Sequence, residues 1–431
     1  MPIESLEKRI IRRIIELVGT VLIVITTLLW CCSMTIYSDS VHFLDDLINL
    51  VMLLCIILGV VTSIIKWKEN DRTIFLLTIA FFAARLLSYR VNGLQITYGG
   101  NMMLQMFYLF GINKHIWGGK IHRYAAISSF VAFDIIAIFV CWYNYHFRYE
   151  YAMMLFDKYW KKGMNVYTTL FQNPNYPGLM IGAVVIFCCA ALMNKKNKRK
   201  TTFILIPIII INLYMLFAYT GCRSAETGLI LVALLGALIN LLKKQLSVRK
   251  IVCVSLLLCS LTMVPLYAVV FQPNNSQYLD NVSSTEKLLE SVSSGRYSIW
   301  KTTLLSQKGH MAFGYGNIST ASSKKKEFVE NFDQERVSED YRYSIVHVRQ
   351  HNGYLAAINE TGLVGAVLLL MLLLRKAWCH VGSFADGQWE YLVLPYLFWI
   401  NLFEAKFINT MFFTGLLMMT LLLPNKETKD S

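Results

Sequence analysis

Three short polar motifs interrupt an otherwise apolar chain: Gly221-Cys222-Arg223-Ser224, Ser294-Gly295-Arg296 and His351-Asn352. Their residue types suit anion binding and proton transfer. Arginine carries a planar fork of donors that grips phosphate oxygens bidentately and stays charged beside headgroups. Histidine, with a reference pKa of about 6.5, is mostly neutral at pH 7 and can accept a proton. His347 and Arg349 alternate with His351, so an extended segment would put all three on one face. The motifs gather on one predicted side of a membrane, which fits a one-sided reaction site better than a channel.

The elements that must position these residues follow from composition. The chain has 431 residues, 55% of them hydrophobic and only 16% charged, with mean hydropathy +0.47. Soluble domains rarely reach such values. Lipid offers no partners for free backbone amides and carbonyls, so an apolar run of about 20 residues reads as a spanning helix. Such runs fall near 14–36, 43–65, 73–88, 95–112, 124–142, 176–193, 202–220, 226–242, 251–271, 354–374, 390–404 and 407–423. The expected fold is therefore all-α, a polytopic bundle of about twelve transmembrane helices. Arg85 inside the third run, and Gly99, Gly100, Asn101 and Gln105 in the fourth, weaken those two.

Lysines and arginines in the short loops set the orientation. Clusters at Lys8–Arg13, Lys66–Arg72, Lys114–Arg123, Lys195–Lys200 and Lys243–Lys250 alternate with connections near 37–42, 89–94 and 221–225 that hold one arginine or none. The basic set is assigned to the cytoplasm, with both termini, in a cell membrane. The net charge of +14 is then an orientation signal with contacts to anionic lipid, and nucleic-acid binding is not expected. The first run is flanked by arginines and lacks a small-residue cleavage site, so it reads as an uncleaved anchor. Only Cys222 among ten cysteines belongs to an outer connection, which argues against an outer disulfide framework. No repeat relates the halves.

Three regions result: 1–271 with nine spans and an outer cap near 143–175, a large outer loop at 272–353, and 354–431 with three spans and a cytoplasmic tail. In the loop, Ser283, Ser284 and Glu286 precede an apolar face, and Ile299, Trp300, Thr303 and Leu304 recur at helical spacing, predicting two short surface helices. A mobile polar stretch is expected from Lys324 to Arg342. The aromatic residues of 143–175 read first as an interfacial belt and second as a sugar-stacking platform.

The chain resembles the O-antigen polymerase and ligase superfamily, polytopic glycosyltransferases acting on lipid-linked sugars. The resemblance rests on Asn173-Pro174-Asn175, the Arg223 turn, Ser294-Gly295-Arg296 with Trp300 and Phe313-Gly314-Tyr315-Gly316-Asn317, and His351-Asn352-Gly353-Tyr354-Leu355 followed by Glu360-Thr361-Gly362-Leu363-Val364-Gly365. Cys222 stands where the family usually has a small polar residue. The resemblance implies a polyprenyl-pyrophosphate-linked oligosaccharide as donor and an acceptor whose hydroxyl attacks the anomeric carbon. For that chemistry Arg223 and Arg296 are the candidate pyrophosphate holders and His351 the candidate base, with Asn352, Arg349, His347, Asn173, Asn175, Glu226 and Trp300 as candidate substrate-side residues. A repeat-unit polymerase is the leading expectation; a ligase and, from another class, a flippase are the alternatives. A flippase and a chain-length regulator are expected partners.

Simpler roles compete at several positions. Asn352 or His351 could serve only as a helix cap, and Asn173-Pro174-Asn175 as a helix start. Glu226 and Glu360 could each neutralise an arginine, while Arg85 and Asp134 are expected to pair inside the bundle. Gly314-x-Gly316 reads as a turn, since no nucleotide-fold context surrounds it. No metal and no cofactor are expected, because the histidines and carboxylates lack ligand spacing.

Overall fold

With no water in a bilayer to satisfy a free peptide group, long apolar runs close their own hydrogen bonds as helices. Among the described residues of this chain, nine helices are long and apolar enough to cross a membrane. The computed structural model describes residues 6–35, 42–94, 103, 105–148, 150, 170–171, 175–193, 199–242, 247–271, 284–293, 296–331, 351–381, 389–404 and 413–423. In chain order the helices are α1 (Leu6–Ser33), α2 (His42–Ile65), α3 (Arg72–Val91), α4 (Lys114–Trp117), α5 (Lys120–Phe147), α6 (Asn175–Met193), α7 (Arg199–Met215), α8 (Arg223–Leu241), α9 (Val248–Leu261) and α10 (Met263–Val270). They continue as α11 (Ser284–Val292), α12 (Tyr297–Ser306), α13 (Ile318–Glu330), α14 (Gly353–His380), α15 (Val393–Ile400) and α16 (Phe413–Leu421). The chain is an all-α polytopic bundle.

Three of the twelve expected spans take another form where they are described. The 95–112 run contributes a π turn at Phe107–Gly111, and 407–423 contributes α16. The 390–404 run makes a 3-10 turn at Trp389–Leu392 and the eight-residue α15, then turns through Asn401 to Glu404. Asn401 ends α15 in a polar contact: its carbonyl accepts a 2.7 Å hydrogen bond from the Gly353 amide. The outer cap expected near 143–175 lies almost wholly outside the described residues.

The core forms where α6 meets α15 and α8. Helix α6 is the most enclosed span, 72% buried over its apolar window, against 17% for the span that contains α7. Tyr396 of α15 donates to the carbonyls of Leu179 (3.1 Å) and Gly178 (3.4 Å). Gly182 makes room for it, since a Cβ there would meet Tyr396 Oη at 2.0 Å.

Helix α14 is broken at Gly362, which has φ 68° and ψ −179°. A break in a membrane helix leaves donors and acceptors that something must satisfy. The Met311–Gly316 loop does so from both sides. Tyr315 and Gly316 amides donate to the carbonyls of Asn359 (2.8 Å) and Glu360 (2.9 Å), while Leu363 and Val364 amides donate to Met311 (2.8 Å) and Ala312 (3.2 Å). Gly314, at φ 63°, seats against the break so closely that a Cβ would lie 2.6 Å from the Gly362 nitrogen. The glycine pair is a docking turn.

Buried charges are handled in two ways. Arg85 and Glu360, both 0% exposed, form a 2.8 Å ion pair, and Ser88 Oγ donates to the Glu360 carbonyl (3.0 Å). This pair ties α3 to α14 near the break; at the other end of the same two helices, Arg375 meets Asp71 at 3.1 Å. Asp134 departs from expectation: its carboxylate is buried and has no cationic partner among the described residues.

The 272–353 loop yields the two expected short helices, α11 and α12, clamped together by Glu286. Its Oε1 accepts from Lys301 Nζ and Tyr297 Oη, each at 2.8 Å. A third helix was not expected. Lys324–Lys326 belong to α13, whose start is capped by the Asn317 side chain accepting from the Thr320 amide (2.7 Å). Lys324–Glu327 and Lys326–Glu330 pairs line its surface.

Candidate active site

The starts of four helices gather at one end of the bundle, and each start has a local cause. At α12, Ser293 Oγ accepts from the amides of Arg296 (3.2 Å) and Tyr297 (2.9 Å), and Glu290 accepts from the Ser298 amide (2.9 Å). These contacts hold Arg296 at the cap position. At α14, Asn352 caps through Oδ1, which accepts from the Leu355 amide at 2.9 Å. Gly353 lets Asn401 approach, and His351 before it sits at φ 46°, the one non-glycine residue with positive φ among those described. A non-glycine residue held there is strained, a condition that clusters at functional sites.

At the centre lies a residue that sequence reasoning passed over. Glu404, 4% exposed, closes the turn after α15. Its Oε1 accepts from Asn175 Nδ2 at 2.7 Å and from Arg296 Nη2 at 3.1 Å. Its Oε2 lies 3.5 Å from His351 Nδ1, inside ion-pair range. One carboxylate thus joins the first residue of α6, the cap of α12 and the residue ahead of the α14 cap. The signal was available: a single acid in the apolar run 389–404 apart from Glu390 at its start is expensive unless functional or paired.

The fourth start, α8, touches this cluster through its cap. Cys222 Sγ lies 3.8 Å from the Asn175 carbonyl and 3.5 Å from Ser224 Oγ. Burial pushes the Cys222 thiol up to about 11 against hydrogen bonds with Ser224 and the Ala225 amide, while Glu404 and Arg296 act in opposite directions. The cysteine fills the small-polar position as a buried neutral contact. Arg223, the next residue, is exposed on the rim and makes no ion pair among the described residues. Glu226 lies one turn along α8, and Trp300 is half-buried on α12, its amide donating to the Arg296 carbonyl at 3.0 Å. Asn173, His347 and Arg349 lie outside the described residues.

Exposure separates the roles within the cluster. The His351 side chain is 25% exposed and that of Arg296 is 18%, while Glu404 is 5%. The two groups able to meet a ligand reach solvent; the carboxylate that joins them does not. Nδ1 of His351 faces Glu404, so Nε2 is the nitrogen left for other work. Only Nη2 of Arg296 is engaged by Glu404. Asn352 adds a buried Nδ2 with no hydrogen-bond partner among the described residues. Helix starts carry partial positive charge, so four of them around two arginines favour an anion.

Within one helical turn of His351 begins an apolar groove of about 410 Å³. Tyr354, Ala357 and Ile358 of α14 form one wall, and Leu256, Met263 and Val264 of α9 and α10 form the other. An anion-favouring cluster therefore adjoins a greasy slot. A search among curated proteins found no match to this chain. Residues 208–370, which enclose Arg223, Glu226, Arg296, Trp300, His351 and Asn352, match the family model described as O-Antigen ligase, which supports the resemblance to the O-antigen polymerase and ligase superfamily.

Proposed function

We propose that the protein polymerises polyprenyl-pyrophosphate-linked oligosaccharide repeat units at the Glu404-centred cluster, on the extracytoplasmic face of a cell membrane with both termini inside. The observation that carries this reading is the meeting of Arg296 and His351 on one buried carboxylate, 3.1 Å and 3.5 Å away, beside an apolar groove. Arg296, with Arg223 from the rim, holds the pyrophosphate oxygens and offsets the charge that grows as the anomeric C–O bond breaks. The acceptor hydroxyl attacks the anomeric carbon and gives its proton to His351 Nε2. Polyprenyl pyrophosphate leaves with the bond electrons. Glu404 holds the imidazole by its Nδ1 side, as a third group orients the base in other acid–base pairs. The groove takes the first part of the polyprenyl chain. Pyrophosphate is a good leaving group once its charge is held, so this chemistry proceeds without a metal ion.

A ligase is the second reading, favoured by the description of the matching family model. It uses the same donor and chemistry and differs in the acceptor. Purified protein incubated with synthetic lipid-pyrophosphate repeat units separates the two. A ladder of products supports polymerisation, and a single transfer to an added lipid or protein acceptor supports ligation. Release of free sugar alone, or no reaction, refutes both. Reporter fusions in the loops at 66–72 and 272–283 test the orientation; reporters active outside only at the second site support it.

A further inference from the structure

At the end of α14 opposite the Glu404 cluster lies a second charged cavity, of about 100 Å³. From Gly362 to Lys376 the helix rises roughly 20 Å at 1.5 Å per residue, which separates the two sites by most of a membrane. Antiparallel pairing of α3 with α14, through Arg85–Glu360 at one end and Asp71–Arg375 at the other, fixes this geometry. The cavity is bounded by Lys376 and His380 of α14, Asp71 at the head of α3, and Asn70, Asn113 and Lys114.

Lys376 is the unsatisfied member. It is 94% buried, being 6% exposed, and among the described residues its Nζ contacts only Met419 Sδ at 3.8 Å. A thioether is a poor partner for an ammonium, and a buried charge without a counter-ion is costly. The other polar groups are spoken for. Asp71 accepts from the amides of Thr73 (2.9 Å) and Ile74 (3.1 Å) and from Arg375 Nη2 (3.1 Å). Asn113 Nδ2 donates to Ser63 Oγ and to the Gly59 carbonyl (3.1 Å), and Asn70 Nδ2 donates to the Ser63 carbonyl (3.0 Å). Lys114 Nζ donates to the Glu69 carbonyl, which leaves the Lys376 ammonium in a space whose one lining carboxylate is already held by an arginine.

We propose that this cavity binds an anionic phosphate group, with the Lys376 ammonium as its charged partner. An anion supplies what Lys376 lacks, and basic pockets between helices at a membrane edge suit phosphate headgroups. The phosphate is either the headgroup of an anionic lipid or a free phosphate ion. The site is separate from the Glu404 cluster and independent of the transfer reaction.

The test uses the full-length protein in nanodiscs of phosphatidylcholine, alone or with phosphatidylglycerol. Native mass spectrometry counts retained phosphatidylglycerol, and thermal unfolding in the phosphatidylcholine discs reads the effect of inorganic phosphate. Replacing Lys376 by Met, which suits the apolar wall beside Met419, should lower affinity about tenfold to a hundredfold, the loss expected for one charge-assisted contact. Preferential phosphatidylglycerol retention lost in Lys376→Met supports the headgroup; a phosphate-induced rise in midpoint lost in the same variant supports the free ion. Equal behaviour of wild type and variant in both measurements overturns the proposal. Should the variant not fold, a photo-crosslinking phosphatidylglycerol headgroup on the wild type decides: labelling of the segment around Lys376 supports the site, and labelling only elsewhere overturns it.

Discussion

Glu404 is the residue on which the candidate site turns, and its contribution can be worked from the geometry. At 3.1 Å, with side chains 18% and 5% exposed, the Arg296–Glu404 pair has a gross Coulomb attraction of about 5 kcal/mol at an effective dielectric near 20. Desolvation of both groups removes roughly half or more of that, leaving a net coupling of about 2 kcal/mol. A double-mutant cycle with Arg296→Ala, Glu404→Ala and the double variant reads this coupling from unfolding of the purified protein in detergent. Additive effects, with coupling below about 0.5 kcal/mol, would refute the pairing. Glu404→Gln separates charge from shape: the amide still accepts from Asn175 and Arg296, but the negative charge facing His351 Nδ1 is gone. The transfer rate should fall about 100-fold, within the range of general-base catalysis, with little change in substrate affinity. Wild-type turnover in Glu404→Gln would remove the carboxylate from the mechanism.

Three further predictions test separate parts. Arg85→Met leaves Glu360 buried and uncompensated and should destabilise the protein by about 3–5 kcal/mol; Arg85→Met with Glu360→Met should recover most of it, as thermal unfolding would show. Gly362→Ala must adopt a glycine-only conformation with its Cβ 2.1 Å from the Ala312 carbonyl oxygen, so it should cost more than about 2 kcal/mol and expose the 311–316 loop to limited proteolysis. Arg223→Lys and Arg296→Lys should each lower transfer by at least about tenfold while the protein still inserts, because an ammonium cannot reproduce the bidentate fork.

The sequence made the bundle legible because lipid imposes one rule on every span: close the backbone hydrogen bonds. Where the rule is met by other means, reading failed. Asn401 diverts the run 390–404 into a turn, and no local pattern announces that its carbonyl is reserved for Gly353. Arg85 and Glu360 were each marked as costly charges, yet their pairing across 275 residues is a tertiary fact. Residues 324–330 looked like part of a solvated loop because their charges hid the Asn317 cap and the helical spacing of Lys324–Glu327. At the site, residue types suggested arginine and histidine chemistry, and the structure brings Arg296 and His351 to one carboxylate while leaving Arg223 on the rim. Glu404 was missed because it ends an apolar run and belongs to no motif; only folding brings it beside Arg296 and His351.

The central claim is that Arg296 and His351 act together in transfer from a lipid-linked pyrophosphate donor. Single-turnover assays with a synthetic polyprenyl-pyrophosphate oligosaccharide, following both glycan transfer and release of polyprenyl pyrophosphate, test it directly. The wild type should form product and release the carrier in equal amounts, and folded, membrane-inserted Arg296→Ala and His351→Ala proteins should do neither. Product formed by either variant at the wild-type rate would contradict the account.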